Sequence, residues 1–338
     1  DYADSTLPEP RRGRAPNMPI IRHRKVLSNG IRLRLAEAGP ETGPLLLLAH
    51  GWPESWYSWR YQIPALAAAG FHVVAPDMRG FGDSDAPREI ATYDILNLVE
   101  DLAGLLPVCQ AEEAVVVGHD WGAVVAWHCA LVHPGRFRAV AALSIPHFGR
   151  PVDAPTRIWK QRFGDTFYYI LYHQQPGVAE AEYEANPRGL LEMLYTSPDT
   201  PREPPRITDS GKDAGGWIGR WGRPRTLPAW LSQADLDYYV GEFRRSGFHG
   251  GLNYYRNFDR NWEITAQLDQ VVRVPALYIA GDQDMAIAHL GLGQLRERMS
   301  AVVTDLRGLV WFEGAGHWIQ QERHEECNQA LLSFLSGL

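Results

Sequence analysis

The sequence has little of what marks a secreted, membrane-bound or nucleic-acid-binding protein. Its three cysteines, Cys109, Cys129 and Cys327, are odd in number and widely spaced, which argues against a disulfide framework and fits a reducing compartment. No apolar run approaches the ~20 residues that a membrane-spanning helix needs. A net charge of −7 without a long block of like charge gives no indication of nucleic-acid or anionic-membrane binding. We therefore expect a cytoplasmic protein without a membrane span.

The first residues also lack a secretory signal. Residues 1–17 are polar, contain several Pro and Arg, and have no apolar core of the kind that a signal peptide requires. Met18 is a candidate natural start, so residues 1–17 are interpreted as a leader or an added extension and kept out of the fold. With 45% apolar and 11% aromatic residues, the chain has ample material for a buried core.

Short apolar runs alternate with helical patterns over the first part of the chain. An Asn29-Gly30 hairpin signal separates predicted strands at residues 20–27 and 31–36. Continuous apolar runs, typical of strands covered on both faces, follow at residues 45–49, 72–76, 114–117 and 138–143. Helical patterns lie between them at residues 56–69, 93–107 and 121–133. This alternation predicts a mostly parallel α/β sheet flanked by helices.

The alternation is lost between residues 146 and 263. Aromatic residues are dense there, and residues 197–226 are crowded with Pro, Gly, Arg and Asp, a composition that favours a functional loop or lid. Strand and helix patterns resume at residues 276–280, 309–312 and 325–335. The chain is therefore predicted to form a core of residues 18–145 and 264–338, interrupted by an inserted, mainly helical cap domain of residues 146–263.

A turn flanked by glycines follows the predicted strand at residues 114–117. Gly118-His119-Asp120-Trp121-Gly122 leads from that strand into a helix, which is the layout of a nucleophile elbow. Serine, the usual central residue, is absent, and Asp120 stands in its place. A carboxylate needs no base to ionise at neutral pH, and its attack on carbon leaves an ester that must then be hydrolysed. The alternative interpretation is an ordinary turn with a helix-capping Asp.

Hydrolysis of such an ester requires a base and a group that orients it. His317 follows the last predicted strand in a glycine-rich run, and the order nucleophile, acid, histidine is typical of chains with this elbow. The acid is expected between the two, where Asp282 and Asp284 follow the strand at residues 276–280. We favour Asp284, although spacing alone leaves Asp282 open. Residues 144–151, after an earlier strand, contain no Asp or Glu.

The anion formed during ester hydrolysis needs backbone N–H donors. In an elbow these come from the residue after the nucleophile and from the loop after an early strand, which here are Trp121 and Trp52. Pro53 has no N–H and favours extended geometry at Trp52, which would direct the Trp52 N–H inward. Asp77 and Arg79 follow another strand, and we expect them to form a structural pair near the elbow rather than a solvated one.

Four core motifs and two segments of the predicted cap resemble the epoxide hydrolases of the α/β-hydrolase superfamily, from about Arg22 to the C-terminus. The core motifs are His50-Gly51-Trp52-Pro53, the elbow, Gly281-Asp282-Gln283-Asp284 and Gly314-Ala315-Gly316-His317. The cap segments are residues 169–177 and 251–257, which in that family each supply one tyrosine that donates a hydrogen bond to the epoxide oxygen. The resemblance assigns these roles to Tyr169 and Tyr255. The neighbouring Tyr168, Tyr172 and Tyr254 are alternatives.

The resemblance implies an α/β-hydrolase fold and an Asp-His-Asp catalytic triad of Asp120, His317 and Asp284. The nucleophile would attack an epoxide carbon while the cap tyrosines protonate the oxygen, and the histidine would then activate water against the ester. No metal or cofactor is required by this scheme. The implied partners are a small hydrophobic epoxide and water, with the oligomeric state left open between monomer and homodimer. The implied substrate-binding residues are Trp52, Trp121, Tyr169 and Tyr255.

Two other functions stay open on the sequence. A haloalkane dehalogenase shares the fold and the nucleophile, but it would leave the two cap tyrosines without a role. A non-catalytic ligand receptor would keep the fold without the reaction, since fold does not determine function. Against that interpretation, every expected catalytic position holds a competent residue.

Overall fold

The computed structural model describes residues 19–287 and 290–338, so the interpretation of residues 1–17 lies outside the described residues. In the described part, the central sheet contains the strands β1 (Arg22–Ser28), β2 (Ile31–Ala38), β3 (Leu45–Ala49), β4 (His72–Pro76), β5 (Ala114–His119), β6 (Phe137–Leu143), β7 (Ala276–Gly281) and β8 (Leu306–Phe312). They lie in the order β1-β2-β4-β3-β5-β6-β7-β8. The pairs β1/β2 and β2/β4 are antiparallel and the other pairs parallel. The predicted mostly parallel α/β sheet is confirmed.

Helices connect these strands. Between β3 and β6 they are α1 (Gln62–Ala68), α2 (Ile95–Ala103), α3 (Leu105–Val108) and α4 (Trp121–Val132). Between β6 and β7 they are α5 (Pro155–Phe163), α6 (Tyr169–Tyr172), α7 (Val178–Ala185), α8 (Pro187–Leu194), α9 (Gln233–Ser246), α10 (His249–Arg256) and α11 (Phe258–Ile264). After β7 they are α12 (Leu292–Ser300), α13 (Ile319–Glu322) and α14 (His324–Ser336), and short 3-10 helices lie at Trp56–Trp59, Ile90–Tyr93 and Ile218–Arg220. None of the helices in the described residues combines the length and apolarity that crossing a bilayer needs.

Two predicted helices are each broken in two, and prolines explain both breaks. The pattern at residues 56–69 becomes a 3-10 helix followed by α1, and the pattern at residues 93–107 becomes α2 followed by α3. Pro64 and Pro107 have no N–H to donate to the carbonyl four residues earlier, so an unbroken helix would lose that hydrogen bond. The predicted hairpin turn is present, with positive φ angles of 46° at Asn29 and 78° at Gly30.

Strands β3 to β7 are buried on both faces, which accounts for their continuous apolar runs. Along β5, Val116 packs in one hydrophobic cluster with α2 and α4, whereas Val115 and Val117 pack in a second cluster with α1 and α14. Alternate side chains of a strand point to opposite faces, so a doubly covered strand needs apolar residues at every position. This sandwich keeps the carboxyl ends of the strands in place.

Asp77 and Arg79 do not pair with each other, so that expectation is wrong. The buried Asp77 carboxylate lies 3.2 Å from Arg34 Nη1 and accepts the Trp56 N–H at 3.0 Å. Arg79 Nε and Nη2 donate to Asp101 at 2.8 and 2.6 Å. Partners from β2 and α2 therefore neutralise the two charges separately, and both residues have structural roles.

Candidate active site

The elbow holds Asp120 between the end of β5 and the start of α4. Asp120 has φ 52° and ψ −120°, a conformation of the kind that costs about 1–3 kcal/mol and clusters at functional sites. Glycine is needed on both sides, because a Cβ at Gly118 would lie 2.0 Å from the Gly122 oxygen and a Cβ at Gly122 would lie 2.0 Å from the Ala49 oxygen. The carboxylate is thereby fixed at the carboxyl ends of the parallel strands, where open sheets bind ligands.

Two backbone N–H groups act on the Asp120 carboxylate. The Trp52 N–H donates to Oδ1 at 2.9 Å. The Trp121 N–H, at the start of α4, also favours the ionised form of the carboxylate and so opposes the rise in the pKa of Asp120. The Trp52–Pro53 peptide bond, on the loop after β3, is cis. The structure therefore brings together the two donors that the sequence indicated for an oxyanion hole.

His317 faces the same carboxylate from the loop after β8. Its Nε2 lies 3.6 Å from Asp120 Oδ2, and its Nδ1 lies 2.9 Å from Asp284 Oδ1. Asp282 instead accepts the Gly314 N–H at 2.7 Å. The geometry thus brings Asp284, rather than Asp282, to the imidazole.

The charges of these three side chains depend on one another. Burial would lower the pKa of His317, but the Asp284 and Asp120 carboxylates raise it to about 9. Burial would also raise the pKa of Asp284, yet His317 and a hydrogen bond from Ser144 hold it below its usual value. Burial raises the pKa of Asp120 against the opposing charge of His317. The negative charges of the two carboxylates therefore favour the imidazolium form of His317 at neutral pH.

Three buried residues that the sequence analysis did not single out support this arrangement. His119, inside the elbow, has its Nδ1 2.6 Å from Glu54 Oε1 and its Nε2 2.8 Å from the His317 carbonyl oxygen. Ser144, after β6, donates from Oγ to Asp284 Oδ2 at 2.5 Å. The position of Glu54, a carboxylate directly after the His50-Gly51-Trp52-Pro53 motif, was a usable signal. Ser144 had none, because 140 positions separate it from its partner.

Tyr169 on α6 and Tyr255 on α10 line the same cavity as Asp120 and His317. Their ring centroids lie 6.1 Å apart. Burial raises the pKa of both phenols well above the usual value, and the nearby Asp120 carboxylate adds to this effect. Each phenol is therefore protonated at neutral pH and able to donate a hydrogen bond.

The neighbouring tyrosines that the sequence left as alternatives are engaged in other contacts. The Tyr172 hydroxyl donates to Glu182 at 3.0 Å, and the Tyr254 hydroxyl donates to the Arg79 carbonyl at 2.9 Å. Tyr168 also lines the cavity, but its ring stacks on Phe163 with centroids 4.0 Å apart. Contacts thus favour Tyr169 and Tyr255 over their neighbours.

The cavity above Asp120 has a volume of about 560 Å³. Its walls are largely aromatic and come from several parts of the chain, namely Trp52, Trp121, Trp159, Phe163, Phe167, Trp217, Trp221, Phe258 and Trp318. A largely apolar pocket with a few convergent polar groups suits a small hydrophobic molecule that carries one polar reacting group. Within residues 19–287 and 290–338, no group of three or more His, Cys, Asp or Glu side chains is arranged to hold a metal ion.

Comparison with known proteins gives one consistent result. Residues 44–323 match the family model of the alpha/beta hydrolase fold. The chain is 49% identical to epoxide hydrolase A of Mycobacterium tuberculosis over 319 residues, covering 93% of this chain and 97% of that protein. It is similar to the crystal structure of epoxide hydrolase A from Mycobacterium thermoresistibile, with 46% identity, a TM-score of 0.86 and coverage of 94% and 99%. An epoxide hydrolase structure from Vigna radiata is 37% identical, with a TM-score of 0.82 and the same coverage.

Proposed function

This chain belongs to the epoxide hydrolase family of the α/β-hydrolase fold, and we propose that it converts an epoxide to a vicinal diol through an ester on Asp120. One observation carries the proposal, namely the different surroundings of the two Asp120 oxygens. Oδ1 accepts the Trp52 N–H at 2.9 Å, whereas Oδ2 lies 3.6 Å from His317 Nε2. One oxygen is held by the protein and the other is directed towards the cavity and the base.

In the first half-reaction, Asp120 Oδ2 attacks an epoxide carbon from the side opposite the breaking C–O bond. Tyr169 and Tyr255 hydrogen-bond to the ring oxygen, and one of them gives it a proton, because an alkoxide is a poor leaving group. This step leaves an alkyl ester on Asp120 and a hydroxyl on the neighbouring carbon.

Formation of the ester also prepares the base for the second half-reaction. The pKa of His317, about 9 in spite of burial, is raised by the charges of Asp284 and Asp120. Alkylation removes the Asp120 charge, so the pKa of His317 falls. The imidazolium can then give a proton to the tyrosinate that was left when Tyr169 or Tyr255 protonated the epoxide oxygen. Neutral His317 is then available when the ester is present.

In the second half-reaction, His317 takes a proton from water, and the hydroxide attacks Cγ of the ester. Oδ1 becomes the oxyanion and is stabilised by the Trp52 and Trp121 N–H groups. His317 returns its proton to the departing alkoxide, and the diol leaves with the former Oδ2. The new Asp120 carboxyl group then transfers a proton to His317, which restores the starting state.

The test of this scheme is to trap the ester. His317→Gln is expected to react with styrene oxide but not to hydrolyse the product, because the base is missing. Intact-mass spectrometry should show one substrate mass added to the protein, and peptide mapping should place it on Asp120. Asp120→Asn is the matched control and should show no adduct. An unmodified His317→Gln protein, under conditions where the unsubstituted protein forms diol, would refute the covalent scheme.

We further propose that residues 146–263 form the cap domain over the core of residues 18–145 and 264–338. The cap supplies Tyr169 and Tyr255 to a cavity whose other reacting groups come from the core. The aromatic walls support a small hydrophobic epoxide as substrate, with water as the second reactant. Three free, buried cysteines support a location in the reducing cytoplasm.

A further inference from the structure

Ser144, the first residue after β6, combines full burial with a backbone conformation that side chains rarely adopt. Its φ is 73°, in the left-handed region where glycine is favoured. The backbone is fixed on both sides, because its N–H donates to the Ile279 carbonyl at 2.9 Å and its own carbonyl accepts the Tyr278 hydroxyl at 2.6 Å. A glycine would adopt this backbone conformation without strain, so the presence of a serine at this position requires an explanation.

The Ser144 hydroxyl lies between Asp284 and His317. Its Oγ donates to Asp284 Oδ2 at 2.5 Å and lies 3.1 Å from His317 Nδ1. The other carboxylate oxygen, Oδ1, is bonded to His317 Nδ1 and to the Ala286 N–H, each at 2.9 Å. Both oxygens of Asp284 therefore have partners, and the carboxylate cannot rotate without losing one of them.

A hydroxyl has a single proton, which decides what the Ser144 oxygen offers to His317. Because that proton is given to Asp284, only a lone pair of Oγ points to Nδ1. An acceptor at this position favours the tautomer of neutral imidazole that carries its proton on Nδ1, and leaves the lone pair on Nε2. Nε2 is the nitrogen that faces Asp120.

We propose that Ser144 is a positioning residue that fixes the tautomer and the orientation of His317 for ester hydrolysis, an inference that rests on the proposed function. Ser144 holds Asp284 by donating to Oδ2 and holds His317 by accepting from Nδ1. It does not line the cavity in which Asp120 meets the substrate. Its contribution therefore belongs to the second half-reaction and not to the first.

Ser144→Ala and Ser144→Gly test the proposal as a pair. Both remove the hydroxyl, but only alanine keeps a Cβ at the positive φ, so a shared kinetic change reports on the hydroxyl. In single turnovers with styrene oxide, ester formation should stay within about twofold of the unsubstituted protein. Ester hydrolysis should slow by roughly tenfold or more, as for loss of a hydrogen bond to a charged group. In the steady state kcat and KM should fall together, while kcat/KM stays the same.

Gln110→Gly is the control for the backbone. Gln110 has a positive φ of 54° and is exposed beyond the amino end of β5, opposite the end that carries Asp120. This change should relieve strain without altering either half-reaction. Nitrogen-15 NMR of His317 above pH 9, where the imidazole is neutral, reports which nitrogen carries the proton. A merely structural role of Ser144 would leave this tautomer unchanged. The unsubstituted protein should carry the proton on Nδ1, and both Ser144 variants should show more of the Nε2-protonated form.

The outcomes separate the two proposals. If the unsubstituted protein forms diol without an ester, the covalent scheme fails. If it forms and hydrolyses the ester, but both Ser144 variants hydrolyse the ester at the same rate as the unsubstituted protein, only the role of Ser144 is overturned. An equal loss in both half-reactions, with a lower kcat/KM, would make Ser144 a structural residue and also overturn the proposal.

Discussion

The proposed core holds its reacting groups by hydrogen bonds and backbone constraint, whereas the proposed cap, residues 146–263, holds its tyrosines by ring packing. In the core, Asp120 is fixed by a glycine-flanked turn and a backbone N–H, and His317 is fixed by Asp284. In the cap, Tyr169 stacks on Trp217 with centroids 4.6 Å apart, and Tyr255 packs edge-on against core and cap rings. The core thus places charges, and the cap places neutral proton donors.

This difference corresponds to the two halves of the proposed reaction. Opening the epoxide needs proton donors that stay neutral, and burial among aromatic rings provides that state. Hydrolysing the ester needs a base and a stabilised oxyanion, which require directed polar groups. Substitutions in the cap should therefore slow ester formation, and substitutions around His317 should slow ester hydrolysis. Asp120 takes part in both half-reactions.

The largest effect is expected at Asp120, which takes part in both half-reactions. Asp120→Asn keeps the size of the side chain but removes the nucleophilic carboxylate, so no ester should form. Diol formation should fall by roughly 10⁴-fold or more, as for loss of a covalent nucleophile. The measurement is diol release under saturating styrene oxide, with intact mass to exclude deamidation of the new amide. Substantial turnover by undeamidated protein would mean that the core acts without a covalent step.

A smaller effect is expected from the cap tyrosines. Tyr169→Phe or Tyr255→Phe should slow ester formation, and the double variant should slow it more, within the roughly 10²–10⁴-fold range of general acid catalysis. Hydrolysis of ester that has already formed should stay near its original rate. Tyr172→Phe, which loses only the contact with Glu182, is the matched control. Equal slowing of both half-reactions would contradict the assignment of ester formation to the cap tyrosines and of ester hydrolysis to the core groups.

The smallest expected change is a shift in pH dependence. Ester hydrolysis should rise with pH as His317 loses its proton, with a midpoint below about 9, because the ester no longer contributes the Asp120 charge that helps to raise the pKa of His317. Ester formation should instead fall at low pH, where Asp120 is protonated, and burial moves this loss to higher pH than for an exposed Asp. Single-turnover rates across pH give both profiles. A midpoint for hydrolysis at or above 9 would contradict the proposal that alkylation of Asp120 lowers the pKa of His317.

Local patterns in the sequence were sufficient for the elbow and the fold. Asp120 and the strand before it follow from a turn whose glycines are adjacent in the chain, and His317 follows from a similar loop. The broken helices also had a local signal, since a proline lies near each break. Such features depend on neighbouring residues, which a sequence displays directly.

The rest depends on contacts between distant segments. Asp77 and Arg79 were expected to form a pair near the elbow, yet their partners are Arg34 on β2 and Asp101 on α2. The choice between Asp282 and Asp284 rests on which way each side chain turns on one loop. Ser144 is visible as part of the site only when β6 and β7 lie side by side. No local sequence pattern indicates these contacts.

The two oxygens of Asp120 differ in one further respect. Oδ1, held by the Trp52 N–H, stays with the protein through every cycle of the proposed reaction. Oδ2 leaves inside each diol, and an oxygen from water takes its place. After one turnover, one oxygen of the Asp120 carboxylate is therefore the original atom and the other comes from water. Each catalytic cycle thus replaces one atom of the enzyme itself.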